Sequence, residues 1–194
     1  MKRICVFAGS SEGARPAYAE AARSLGAELV KRGLGLVYGG GSIGLMGVLA
    51  DTVLAAGGEA IGVIPGPLAS RELAHAGLTA MHVVGSMHER KALMASLCDG
   101  FLALPGGLGT FEETLEILTW AQLGIHRKPV GVLNVEGYWD GLQRLLAHAV
   151  EEGFVRPEYA ALLLFGGTPA ELLDRLAAWR PPVLARAWLA PSQT

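Results

Sequence analysis

GFLALPGGLGTFEE, residues 100 to 113, decides the fold. Its first six residues form a short apolar run closed by proline and glycine, which predicts a buried strand. The residues that follow carry helical periodicity over 109–123, so a strand passes into a helix through a turn holding three glycines. The same arrangement recurs along the chain. Strands are expected at RICVFA (3–8), LGLVY (34–38), AIGVIP (60–65), MHVV (81–84) and PVGVLN (129–134). Helices are expected between and after them, over about 16–32, 44–56, 87–97, 139–152 and 168–179. Strands that are apolar throughout, alternating with helices, predict a parallel sheet covered on both faces. The expected fold is therefore a doubly wound, Rossmann-like α/β domain, in which ligands sit at the carboxyl ends of the strands.

Length and composition agree with one such domain. The chain has 194 residues, 51% hydrophobic and 18% charged, which describes a compact globular protein. A single nucleotide-binding domain is expected over 1–180, followed by an irregular tail over 181–194 that contains Pro181, Pro182 and Pro191. A net charge of −2 argues against nucleic acid or an anionic membrane as the main partner. Cys5 and Cys98 lie in apolar sequence without a CxxC spacing, so buried free thiols in a reducing cytoplasm are expected. The N-terminal apolar stretch is too short for a signal peptide. Residues 33 to 50 form an uncharged run, but seven of its 18 positions are glycine, which speaks against a membrane span. The expectation is a soluble, cytoplasmic protein. The five histidines show no ligand spacing, so no metal is assigned, and a P-loop motif is absent.

Three turns after strands carry candidate chemistry. GSSEG (9–13) matches the nucleophile elbow and would make Ser11 a hydrolase nucleophile. That elbow needs a helix at once, yet the next helix begins near Pro16, so a polar turn lining a ligand pocket is the preferred reading. GGGSIG (39–44) matches the dinucleotide fingerprint, whose glycines let backbone amides approach a phosphate. The acid expected for a ribose is missing from the end of the following strand, and Glu59 lies at the wrong end of it. A nucleotide-binding turn and a merely tight turn both stay open there, with Gly41 and Ser42 as candidate lining residues.

PGGLGTFEE (105–113) is the third turn. Gly106, Gly107 and Gly109 leave backbone donors unshielded, and Thr110 adds a hydroxyl, as an anion site at a helix N-terminus requires. The stretch Thr110-Phe111-Glu112-Glu113 also fits a capping box, in which threonine and glutamate satisfy each other's orphan amides. Both readings stand on local sequence. HERKALM (88–94) adds to them, because Arg90 and Lys91 open the helix just before the strand that leads into the turn. Two cations near a helix N-terminus are unfavourable unless an anion neutralises them, so a phosphate or Glu113 is the expected partner.

With these residues assembled, the chain resembles the Lonely Guy family of cytokinin riboside 5′-monophosphate phosphoribohydrolases, a family also carried under the label lysine decarboxylase. Its paired signature, M-x-x-R-K and P-G-G-x-G-T-x-x-E, is intact at Met87–Lys91 and Pro105–Glu113. Similarity runs from VFAGSS through YGGGSIGLMG to TWAQLGIHRKPVGVLNVEGYWD, about residues 3 to 155. Ala8 stands where many members have cysteine. The resemblance implies hydrolysis of the N-glycosidic bond of an N6-substituted AMP, or of AMP itself, without a cofactor, by a homodimer with sites near its interface. Carried over by position, Arg90 and Glu113 are the catalytic pair. Glu72, Lys91, Gly107, Leu108, Gly109, Thr110, Phe111, Glu112 and Thr119 are the nucleotide contacts. A carrier of the molybdenum-cofactor type, sharing the architecture without the hydrolysis, is the rival expectation.

Overall fold

The computed structural model describes residues 1–69 and 74–182. These residues form a seven-stranded sheet in the order β4-β3-β2-β1-β5-β6-β7, parallel throughout. The strands are β1 Arg3–Phe7, β2 Gly35–Tyr38, β3 Ala60–Pro65, β4 Ala80–Val84, β5 Gly100–Ala103, β6 Val130–Leu133 and β7 Leu163–Gly166. The longer helices are α1 Pro16–Lys31, α2 Gly44–Ala55, α4 Met87–Leu97, α5 Leu108–Leu123, α6 Asp140–Glu151 and α8 Pro169–Ala178. There are short helical turns at α3 Gly66–Leu68 and α7 Pro157–Ala160, and a 3-10 turn at Val135–Gly137. Six strands and six helices fall where the sequence predicts them, to within a residue or two at most ends. β7 is a strand that the periodicity did not predict. Of the predicted tail, residues 183–194 lie outside the described residues.

Alternation along each strand builds two cores. Ile4, Val6, Leu36 and Leu102 point to one face, where Leu25, Leu29, Leu49 and Leu172 of α1, α2 and α8 cover them. Cys5, Phe7, Val37 and Phe101 point to the other, against Met94 of α4, Ile117 of α5 and Leu142 of α6. The central strands are buried at every residue from Ile4 to Phe7 and from Gly100 to Ala103, as expected of a parallel sheet with both faces covered. Cys5 and Cys98 are buried free thiols. Among the described residues no helix is long and apolar enough to cross a membrane.

Strand order fixes where a ligand can sit. β1 has β2 on one side and β5 on the other, so the chain reverses its direction of winding at β1. The turns leaving β1 and β5 therefore diverge and open a crevice at the carboxyl ends of these two strands. One of those turns is GSSEG and the other is PGGLGT.

Candidate active site

The turns after β1 and β5 are tied together where they meet. The Gly9 amide donates to the Pro105 carbonyl at 3.2 Å. Between them lies a cleft of about 200 Å³, lined by Gly9, Ser10, Ser11, Tyr18, Gly106, Gly107 and Tyr138 among others. Ser11 is exposed, and its hydroxyl accepts from the Gly13 amide at 3.2 Å, which is the geometry of a polar turn. Ser11 thus lines a cleft, in keeping with the preferred reading of GSSEG.

α5 starts three residues earlier than a cap at Thr110 would allow. Gly107 is its N-cap, in extended conformation, and no side chain caps the helix. Thr110 is the third helical residue, and its buried hydroxyl fills the space beside Gly106, where an added Cβ would lie 2.1 Å from it. The capping box predicted over Thr110–Glu113 is therefore not formed. The first amides of α5 have no intrahelical partner. Added Cβ atoms at Gly107 and Gly109 would meet nothing within 4 Å, so this backbone borders open space. An uncapped sixteen-residue helix with a bare glycine turn is suited to receive an anion. Leu108 is 85% exposed, and the Phe111 ring packs against Trp139 at a centroid distance of 5.6 Å.

Three ion pairs join α4 to α5 below this turn. Arg90 Nη1 lies 3.0 Å from Glu113 Oε1, both side chains about one-tenth exposed, and Arg90 Nε donates to the Val63 carbonyl at 3.1 Å. Burial pushes the Glu113 carboxyl above its usual range. The Arg90 charge opposes that rise, Glu112 adds to it, and Lys91 opposes it. Lys91 is buried between Glu112 at 2.6 Å and Glu116 at 2.7 Å. Desolvation alone would lower the Lys91 ammonium, but hydrogen bonds and charge from these two acids outweigh it and hold its pKa above the ordinary value.

The sequence expected a phosphate or Glu113 to neutralise the two cations at the start of α4, and Arg90 does pair with Glu113. The structure differs in two other respects. α4 has its own side-chain cap, in which the Ser86 hydroxyl accepts from the Glu89 amide at 3.1 Å, while Glu89 reaches back past the cap to accept from the Gly85 amide at 2.7 Å. Arg90 and Lys91 then follow the first turn and are met by three carboxylates of α5. Glu116, which the spacing did not single out, is the missed member. Its i, i+4 relation to Glu112 was readable, but the facing of the two helices was not.

Other predicted positions divide. Glu72 lies outside the described residues. Thr119 is exposed, nine residues beyond Thr110 and so about 14 Å further along α5; its hydroxyl donates to the Leu115 carbonyl at 2.7 Å. Within one chain it does not join the cleft. Gly41 pairs with Ala74 in an isolated bridge, and Ser42 is exposed in the same turn.

The GGGSIG turn has packing reasons for its glycines. A Cβ at Gly39 would sit 2.1 Å from Arg90 Nη2, and one at Gly44, where φ is +61°, would sit 2.2 Å from the Ser10 carbonyl carbon. The turn holds the guanidinium on one side and the turn after β1 on the other. Gly39→Ala is accordingly expected to leave the fold intact, because only the end of a flexible side chain must move. It should lower kcat/KM by about tenfold or more through displacement of Arg90. Steady-state kinetics beside a thermal melt check this, and unchanged kinetics would return Gly39 to a turn-forming role alone.

The family model that matches residues 46–176 is described as "Possible lysine decarboxylase". A probable cytokinin riboside 5′-monophosphate phosphoribohydrolase of Oryza sativa subsp. japonica is 51% identical over 181 residues, which cover 93% of this chain and 74% of that protein. A cytokinin riboside 5′-monophosphate phosphoribohydrolase of Arabidopsis thaliana is 51% identical over 180 residues, 93% of this chain and 83% of that protein. In three dimensions the chain is similar to the molybdenum cofactor carrier protein of Chlamydomonas reinhardtii. That match has a TM-score of 0.68 and 22% identity over 92% of this chain and 99% of the other, a likeness of fold alone.

Proposed function

The chain belongs to the family of the "Possible lysine decarboxylase" model, whose curated plant relatives are named cytokinin riboside 5′-monophosphate phosphoribohydrolases, and from that premise we infer that it is a hydrolase of nucleoside 5′-monophosphates. It cleaves the N-glycosidic bond of an N6-substituted adenosine 5′-monophosphate, water adding to the ribose carbon as the base leaves with a proton. The products are free base and ribose 5-phosphate. The observation that carries this reading is a buried carboxylate, Glu113, one turn below an uncapped glycine turn at the sheet's switch point. Breaking the bond develops positive charge on the ribose, which a nearby carboxylate stabilises while it steers water. The turn at Gly107–Thr110 seats the 5′-phosphate, and Arg90 keeps Glu113 ionised. Gly41 and Ser42, in the turn that borders Arg90 and the turn after β1, belong to the nucleotide's surroundings, and the protein acts in the cytoplasm.

A decarboxylase using pyridoxal phosphate fits these residues poorly. Such chemistry needs a lysine that can become neutral, whereas two carboxylates hold Lys91 protonated.

The test is incubation with isopentenyladenosine 5′-monophosphate and with AMP, followed by chromatography of the bases. Release of isopentenyladenine or adenine is expected. Tight nucleotide binding without release from either would overturn the enzyme and leave a carrier.

The enzyme works as a homodimer joined through α5 and α6. α6 buries none of its residues fully, and between the two helices lies an apolar groove of about 320 Å³ lined by Phe111, Leu115, Trp139, Leu142 and Leu145. Leu115 and Leu145 are 41% and 61% exposed. Thr119 shares the stripe of Leu115, one turn on, so it reaches a nucleotide only across such an interface. Leu115→Glu is expected to yield monomers in light scattering and to depress turnover. A fully active monomer would remove Thr119 from the site.

A further inference from the structure

The Gly106–Gly107 peptide is the backbone unit of the phosphate seat least able to hold its own orientation. Two glycines flank it, and neither restricts φ and ψ as other residues would. Its direction nevertheless decides what a phosphate meets. The Gly106 carbonyl and the Gly107 amide belong to one planar trans peptide, so they point in opposite directions. With the carbonyl turned toward the nucleotide, the negative end of a dipole would face the anion.

The structure supplies a lock from another part of the chain. The Tyr138 hydroxyl donates to the Gly106 carbonyl. Tyr138 stands after β6, remote in sequence from the glycine turn, and its half-buried ring is gripped edge-on by Tyr18 and Trp139 at centroid distances of 5.8 and 5.3 Å. The segment that delivers it is tightly specified. Asn134 donates to Asp140 at 2.8 Å and accepts from the Trp139 amide at 2.7 Å. Glu136, two residues before the tyrosine, adopts φ +53°, the sole positive φ of a non-glycine among the described residues. Such strain is kept only where surrounding contacts enforce it, and it gathers at functional sites.

We propose that Tyr138 is a positioning residue for the nucleotide's phosphate: by holding the Gly106 carbonyl it aims the Gly107 amide away from the tyrosine, into the open space beside the turn. The inference rests on the reading of this turn as the phosphate seat. Tyr138 touches no reacting atom, and its effect passes wholly through the orientation of one peptide.

Tyr138→Phe removes one oxygen and keeps the ring packing. Expected is a rise of about tenfold both in KM for the nucleotide and in the Kd of ribose 5-phosphate measured by calorimetry. kcat should stay within about threefold, since the chemistry at Glu113 is untouched. Binding of adenine, which lacks the phosphate, and the melting temperature should not change. Unchanged KM and Kd would overturn the proposal, and so would a wild-type protein that fails to bind ribose 5-phosphate. Equal loss of adenine and ribose 5-phosphate binding with a lowered melting temperature would reduce Tyr138 to a packing residue. Should the wild type bind ribose 5-phosphate yet release no base, the hydrolase reading fails while the Kd comparison still decides the role of Tyr138.

Discussion

Glu113→Gln is expected to lower kcat by about 10³-fold or more while leaving nucleotide affinity and melting temperature close to wild type. The glutamine keeps the shape of the side chain and an oxygen that Arg90 can reach, so the α4–α5 junction survives. What disappears is the negative charge available to the ribose as its bond to the base lengthens. An uncharged amide cannot stabilise that developing cation or orient water as a base. Single-turnover measurements beside equilibrium binding separate the two properties. A variant that turns over at the wild-type rate would exclude Glu113 from the chemistry, and one that neither binds nor folds would make it a structural acid.

Arg90→Ala is expected to cost activity in a pH-dependent way. Burial already raises the pKa of Glu113, and the Arg90 charge is the largest influence pulling it back. Without Arg90 the folded-state pKa climbs further. At a given pH the carboxylate fraction falls, and activity recovers only as pH rises. The acid limb of kcat/KM should therefore move to higher pH in the variant. At neutral pH the loss should reach about 10²-fold, with weaker phosphate binding besides. In the wild type that limb should already lie above the range of an exposed glutamate. An unshifted limb in Arg90→Ala would show that the guanidinium does not set the state of Glu113. A variant left inactive at every pH yet folded would assign Arg90 a direct contact with the nucleotide.

How far the site could be read from the chain follows from what kind of fact each part is. The alternation of buried strands and amphipathic helices is local, and so were the turns that end the strands. β7 escaped because Leu163–Gly166 has no β-branched residue and follows two alanines. It extends because β6 offers a free edge to pair with. The N-cap of α5 stayed open because Thr110 and Glu113 have the spacing of a capping box. The extended backbone of Gly107 instead makes that residue the N-cap, three residues before Thr110. Arg90 opposite Glu113 was foreseeable from adjacent turns on one sheet edge. The capture of Lys91 by Glu112 and Glu116 depends on how two helices face each other, which no spacing encodes. Tyr138 was not singled out, since its contact with Gly106 joins residues 32 apart in the chain.

The bare N-terminus of α5 carries a thermodynamic consequence. α4 and α8 carry side-chain caps; α5 does not, and its glycine turn borders open space. A phosphate that satisfies those amides completes the helix, so part of the substrate's binding free energy appears as added order in the protein. By mass action, the folded state then deepens as nucleotide or ribose 5-phosphate accumulates. Amide exchange in the first turn of α5 should slow in step with that occupancy. On the proposed phosphate seat, ribose 5-phosphate would meet the same amides as the substrate, so the enzyme would register the level of its own product through the helix that binds it.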